Sequence, residues 1–195
     1  GVDRIAPGSV ISAPGNVETS PVFDPAAEGI DFYESLEGML VRVNDPLTTS
    51  PTNDFGEIWV LPEGGDGATG TTVRGGSLIA ADDFNPERLQ VDNLVSSQVF
   101  PQVDVGATLS NLTGVIDYSF NNFELRTLST PTVVSASTLE REQTALTPTT
   151  NQLTVATFNV ENLDPSDGAA KFAALADAVV DNLKLPVLAT WMDRL

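Results

Sequence analysis

Leu112-Thr-Gly-Val-Ile-Asp-Tyr-Ser-Phe-Asn-Asn-Phe-Glu-Leu-Arg-Thr-Leu128 carries the sharpest local signal in the chain. Leu112, Gly114, Ile116, Tyr118 and Phe120 share one parity, while polar Thr113, Asp117 and Ser119 hold the other. A period of two marks a strand with one buried face. Asn121-Asn122 supplies residues that tolerate positive φ, so the spacing predicts a hairpin with a return strand from Phe123 to about Leu128.

Upstream, residues 32–44 form a long strand candidate. Tyr33, Met39, Val41 and Val43 share one parity and Leu36 and Leu40 the other, so the apolar face switches near Gly38. A glycine there suits a strand that coils sharply to serve both halves of a small barrel. Phe55 to Leu61 is a second strand candidate with apolar residues on both faces. A glycine-rich loop over 62–78 follows, and then a third strand at Arg88 to Val91, introduced by Asn85-Pro86. Together these five strands predict a mainly β fold, a five-stranded Greek-key barrel of the oligonucleotide/oligosaccharide-binding (OB) type over residues 30–130.

The flanks read differently. Residues 1–29 hold Pro7, Pro14, Pro21 and Pro25 and little periodicity, which predicts an extended arm or linker. Residues 131–152 continue a run rich in Thr, Ser and Pro that begins at 129, a linker or a final edge segment. An apolar strand follows at 153–160, then a helix with Asp164 as cap and Pro165 as first residue. Phe172, Leu175, Val179 and Leu183 recur on one helical face, and Pro186 ends the run. Residues 153–195 thus read as a C-terminal strand–helix fragment of an α/β domain, with no sheet partner expected within the chain. Its apolar faces need cover, from the barrel or from a second copy in a homo-oligomer.

Composition limits the chemistry. The chain has 195 residues, no cysteine and no histidine. Disulfides, thiolate nucleophiles and imidazole bases or metal ligands are therefore excluded. The 27 acidic against 9 basic residues give a net charge of −18, a field that repels a phosphate backbone. It suits solubility and saline or calcium-containing extracellular settings. No run of apolar residues long enough to span a membrane occurs, so no membrane partner is expected. The chain begins at Gly1 rather than Met, as a processed or excised segment would.

Phe32-Tyr-Glu-Ser-Leu-Glu-Gly-Met-Leu-Val41, Phe55-Gly-Glu-Ile-Trp-Val-Leu61, Leu112-Thr-Gly-Val-Ile-Asp-Tyr118 and Ala156-Thr-Phe-Asn-Val-Glu-Asn-Leu163 together resemble bacterial extracellular nucleases. In these a small barrel precedes an endonuclease/exonuclease/phosphatase domain. The resemblance covers roughly residues 16–185 and implies secretion, an accessory barrel, and the opening strand and helix of a truncated catalytic domain. It implies Mg²⁺ or Mn²⁺ as cofactor of the intact parent. It matches Asn159 to the asparagine beside the catalytic metal, and Asp193 to the metal-binding glutamate of the next strand, where Met192 replaces an amide. The remaining aspartate, asparagine and both histidines of that family's site have no counterpart. The chain itself is thus expected to lack catalysis, leaving Asn159 and Asp193 vestigial.

The barrel offers its own candidates. Phe55, Trp59 and Tyr118 would stack bases of single-stranded or duplex DNA while Arg42, Arg88 and Arg126 touch phosphates. The alternative is that these aromatics fill the core and the arginines pair with neighbouring carboxylates, leaving a scaffold that contacts the parent's other domains. A carbohydrate-binding barrel anchored on Trp59 is a further reading. Asp66 in the glycine-rich loop and Asp82-Asp83 supply oxygens suited to Ca²⁺, without the spacing of a calcium-binding loop.

Overall fold

The computed structural model describes residues 3–5, 22–80, 85–93, 99–147, 149–160, 163–184 and 188–192, the first and last of these segments by backbone alone. The chain divides into two compact units, Gly1–Leu139 and Glu140–Leu195. The boundary therefore follows Leu139, nine residues beyond the expected end of the barrel at 130.

The first unit is mainly β, with one curled sheet of nine strands among the described residues. In chain order the elements are β1 (Asp3–Ile5), α1 (Gly29–Glu34), β2 (Leu40–Val43), β3 (Leu47–Thr48), β4 (Ile58–Leu61), β5 (Leu89–Asp92), β6 (Thr108–Leu109), β7 (Leu112–Ser119), β8 (Asn122–Thr127) and β9 (Val133–Ser135). The sheet order is β1-β2-β7-β8-β5-β4-β3-β6-β9. Neighbours are antiparallel except β1 with β2 and β5 with β8. β9 pairs with β6, so this part of the expected linker is a final edge strand. β1 likewise places part of the expected N-terminal arm in the sheet.

Only Asn44-Asp45-Pro46 separates β2 from β3, yet β2 pairs with β7 while β3 pairs with β4. One run of chain thus joins both flanks of the β7–β8–β5–β4 tract, and the sheet must curl to allow it. Asp45 makes the bend at φ 43°, a left-handed conformation that aspartate tolerates better than most residues. Its N–H donates to Asn111 Oδ1 at 2.9 Å, and Pro46 has no N–H to leave unpaired. The expected coil at Gly38 is therefore misplaced. Gly38 has φ 75° but belongs to the turn between α1 and β2, where its N–H donates to the Ile116 carbonyl at 2.8 Å.

The hairpin forms as expected with its turn one residue early. Ser119 pairs with Asn122, and the two loop residues are Phe120 and Asn121 at φ 47° and 66°. Positive φ at both central positions matches the twist of the flanking strands. Phe120 is consequently 84% exposed in the loop, not on the buried face that its parity suggested. Val41, Val43, Ile58, Val60, Leu89, Val91, Ile116 and Leu125 fill the concave side and are fully buried. Each such side chain contributes about 2 kcal/mol.

Gly29–Glu34 is a helix, and its residues 32–34 replace the start of the strand expected over 32–44. Its six residues are too few for propensity to decide; packing does. The turn lets Tyr33 reach the core, 4% exposed, with its ring stacked 5.4 Å from that of Phe123.

The second unit contains β10 (Val155–Asn159), α2 (Ala169–Asp177) and β11 (Leu188–Met192), with a π-helical turn Ala178–Asn182 extending α2. β10 and β11 pair in parallel, Val155 with Leu188 through Asn159 with Met192. The expectation that the strand lacks a partner in this chain is thereby overturned: the unit is strand, crossover helix, parallel strand. Asp164 does not cap the helix. Its carboxylate accepts the Ser166 N–H at 2.8 Å, closing a tight turn, and Gly168 is the residue at the cap. Pro186 lies outside the described residues.

Candidate functional site

β4 and β5 carry Trp59 and Gln90 as direct cross-strand partners, on the side opposite buried Ile58, Val60, Leu89 and Val91. Arg88, just before β5, shares the parity of Gln90. Its guanidinium carbon lies 4.0 Å from the Trp59 ring centroid, a cation–π contact worth about 0.5–2 kcal/mol. Burial lowers the Arg88 pKa from its ordinary value, yet a guanidinium stays charged. Its Nε is buried without an acceptor among the described residues.

The segment before β5 aims this arginine. Asn85 Nδ2 donates to the carbonyls of Thr69, Gly70 and Leu78 at 3.1, 3.0 and 3.0 Å. Glu87 Oε1 accepts the Thr69 N–H at 2.7 Å and its hydroxyl at 2.6 Å. Together they pin the glycine-rich loop and fix the Asn85-Pro86 turn.

Beside the Trp59–Arg88 pair lies a cavity of about 180 Å³ whose walls include Tyr33, Trp59, Arg88, Asn121, Asn122 and Phe123. An aromatic run continues from it. Phe123 lies 4.9 Å from Tyr118 and 5.4 Å from Tyr33, and Phe32 lies 5.2 Å beyond Tyr33. The Tyr33 hydroxyl is buried and has no hydrogen-bond partner among the described residues. Burial pushes its pKa far above the ordinary range, and the Glu87 carboxylate adds to this. Tyr33 is therefore a neutral phenol that borders the cavity while its hydroxyl stays buried.

Of the residues expected from sequence, Trp59 and Arg88 meet at this cavity, and Tyr118 reaches it through Phe123. Arg88 covers one face of Trp59, so the indole is not an open platform on that side. The other three stand apart. Arg42 is exposed on β2. Phe55 is 81% exposed in a turn closed by Asn53 Oδ1, which accepts the N–H groups of Phe55 and Glu57 at 3.0 and 2.9 Å. Arg126 is engaged by Asp92, Glu124 and Asp117, which matches the alternative that an arginine pairs with carboxylates. Tyr33, Asn121, Asn122 and Phe123 were not anticipated as wall residues. Tyr33 was assigned to a strand, and the hairpin tip to a plain turn.

Asp66 is exposed after the 3₁₀ turn Glu63–Gly65. Among the described residues no three acidic side chains converge as a metal site; Asp82, Asp83 and Asp193 lie outside them. Asn159 ends β10, exposed, and its register partner is Met192. The crease between β10 and α2 in the second unit, about 490 Å³, is lined by Phe158, Leu175, Lys171 and Arg141 among others.

Residues 1–138 match the model of the family described as a domain of unknown function, DUF8508. No match is found among curated proteins or among solved structures.

Proposed function

The chain belongs to the DUF8508 family, and from that premise we propose that it is a non-catalytic accessory module of a secreted bacterial nuclease whose β4–β5 side holds single-stranded nucleic acid. The observation that carries the reading is Arg88 laid over Trp59, next to the hairpin tip Asn121-Asn122. A guanidinium plane backed by an indole offers a cationic stacking surface for a base.

The connectivity supports an OB-like barrel. Counting β2 and β3 as the two halves of one coiled strand, the strands run in a circuit of β2/β3, β4, β5, β8, β7 and back to β2. In that architecture ligands lie across the second and third strands and the loop joining the last two. Here these are β4, β5 and the β7–β8 tip. The motif at Ala156 to Leu163 and the parallel pairing of β10 with β11 support the link to a phosphodiesterase. The missing histidines support a silent role for this chain.

The test is a titration of labelled single-stranded oligonucleotide at low and moderate salt, with Arg88→Met and Trp59→Ala alongside. Binding that weakens in both variants is expected, with no hydrolysis in Mg²⁺, Mn²⁺ or Ca²⁺. Absence of binding at either salt refutes the ligand assignment, and metal-dependent cleavage refutes the accessory role. A scaffold without ligand is the outcome the first result would leave standing.

A further inference from the structure

The second unit is short of core. Among the described residues of Glu140–Leu195, Val160 and Ala178 are the buried apolar side chains, and α2 buries none of its residues. A unit below roughly 70–80 residues with so little core is held by cross-links or by association. The chain has no cysteine to cross-link, and α2 offers a surface for association.

Ala169, Phe172, Ala173, Ala176 and Val180 recur at i, i+3, i+4, i+7 and i+11. That spacing sets them in one stripe along α2 and its π-helical extension. All five are exposed, Phe172 by 41% and Val180 by 47%, and no charged residue interrupts the stripe. We infer that this stripe is a homodimer seam, in which α2 packs antiparallel against α2 of a second copy of the chain about a two-fold axis near Ala176. The seam is independent of any ligand on the β4–β5 side.

Shape and charge select this occupant and this direction. Reversed on itself the stripe is self-complementary: Phe172 meets the smaller Val180 of the second copy, and the three alanines let the helix axes approach closely. The same reversal sets Lys171, which also holds Asp167 at 2.8 Å, level with Asp181 of the second copy. A parallel pair would instead bring Asp177 and Asp181 each level with its own counterpart. These charges flank the stripe, so they choose direction more than affinity.

Sedimentation equilibrium of the full chain from about 1 to 500 μM, a range that brackets a micromolar dissociation constant, tests the seam. A monomer–dimer equilibrium is expected. Ala176→Glu, which keeps a good helix former at an exposed position, should weaken it about a hundredfold, since the two-fold axis sets like charges face to face. Engineered cysteines report the geometry separately, because the chain has none of its own. Ala176→Cys should form an inter-chain disulfide on mild oxidation. Phe172→Cys should not pair with itself, because its two copies stand about 12 Å apart along the axis, beyond the ~7 Å that a disulfide spans. It should pair with Val180→Cys when the two variants are mixed. A chain that stays monomeric through this range overturns the dimer. A dimer unaffected by Ala176→Glu, or Phe172→Cys pairing with itself as readily as with Val180→Cys, overturns the antiparallel seam.

Discussion

Replacing Arg126 by methionine would strand two buried carboxylates. Arg126 Nη1 lies 3.2 Å from Asp92 Oδ2 and Nη2 lies 3.3 Å from Glu124 Oε2, with those acidic side chains only 5% and 0% exposed. Nε also contacts Asp117, and Nη2 donates to the Ser119 hydroxyl at 3.3 Å. Removing one partner of a buried ion pair costs about 3–5 kcal/mol, because the remaining charge keeps its desolvation penalty. Asp117 is 41% exposed and adds little. The cost has an escape. Burial already raises the Glu124 pKa, and hydrogen bonding and repulsion from Asp92 add to this, while the Ser119 hydroxyl and Arg126 pull it down. Without Arg126 the carboxyl rises further and takes up a proton as the pH falls. Urea unfolding followed by tryptophan fluorescence should therefore show a loss of about 3 kcal/mol at pH 8. The loss should shrink as the pH falls, and Glu124→Gln added to Arg126→Met should recover part of it at pH 8. A loss under about 1 kcal/mol that does not change with pH would refute the account of Arg126 as a structural counter-ion.

Three further outcomes follow from the same geometry. Because the folded-state pKa of Glu124 is raised, its contribution is full below the unfolded value of about 4.3 and is lost as pH rises through the folded value. Glu124→Gln alone should thus be more stable than the parent at neutral pH, and its stability should fall less between pH 4 and 7. Gly114→Ala would drive a methyl into the Arg126 carbonyl on the neighbouring strand. Since backbone cannot yield cheaply there, the variant should lose about 2–3 kcal/mol in thermal or urea unfolding. Phe120→Asn should raise the unfolding free energy by up to about 1 kcal/mol, because asparagine tolerates the φ of 47° that the exposed Phe120 adopts.

The hairpin was legible because its information is local: alternation set the faces of β7 and β8, and residues that tolerate positive φ set the turn. Phe120 departs from that alternation because turn geometry overrides parity there, placing it in the loop between Ser119 and Asn122. The helix at Gly29–Glu34 was not legible, since six residues carry too little periodicity and it forms to carry Tyr33 to Phe123. The bend at Asp45 was missed for a similar reason: Gly38 is the better local bend, but β3 needs its turn where β4 waits. The site shows the same division. Trp59 and Arg88 were each visible as candidates, whereas Arg42 and Phe55 had equal standing and stand apart from the cavity.

Composition and pattern by themselves determined that the chain is mainly β, strongly acidic, and without thiol or imidazole chemistry, because those properties depend on residue type and short-range order. Only the tertiary structure decided that Arg88 covers Trp59 while Arg126 is held by carboxylates. That choice depends on which side chains the pairing of β5 with β4 and β8 brings within a few ångströms. It also decided that the Tyr33 ring stacks on Phe123 and that β10 finds β11, since each depends on chain segments distant in sequence.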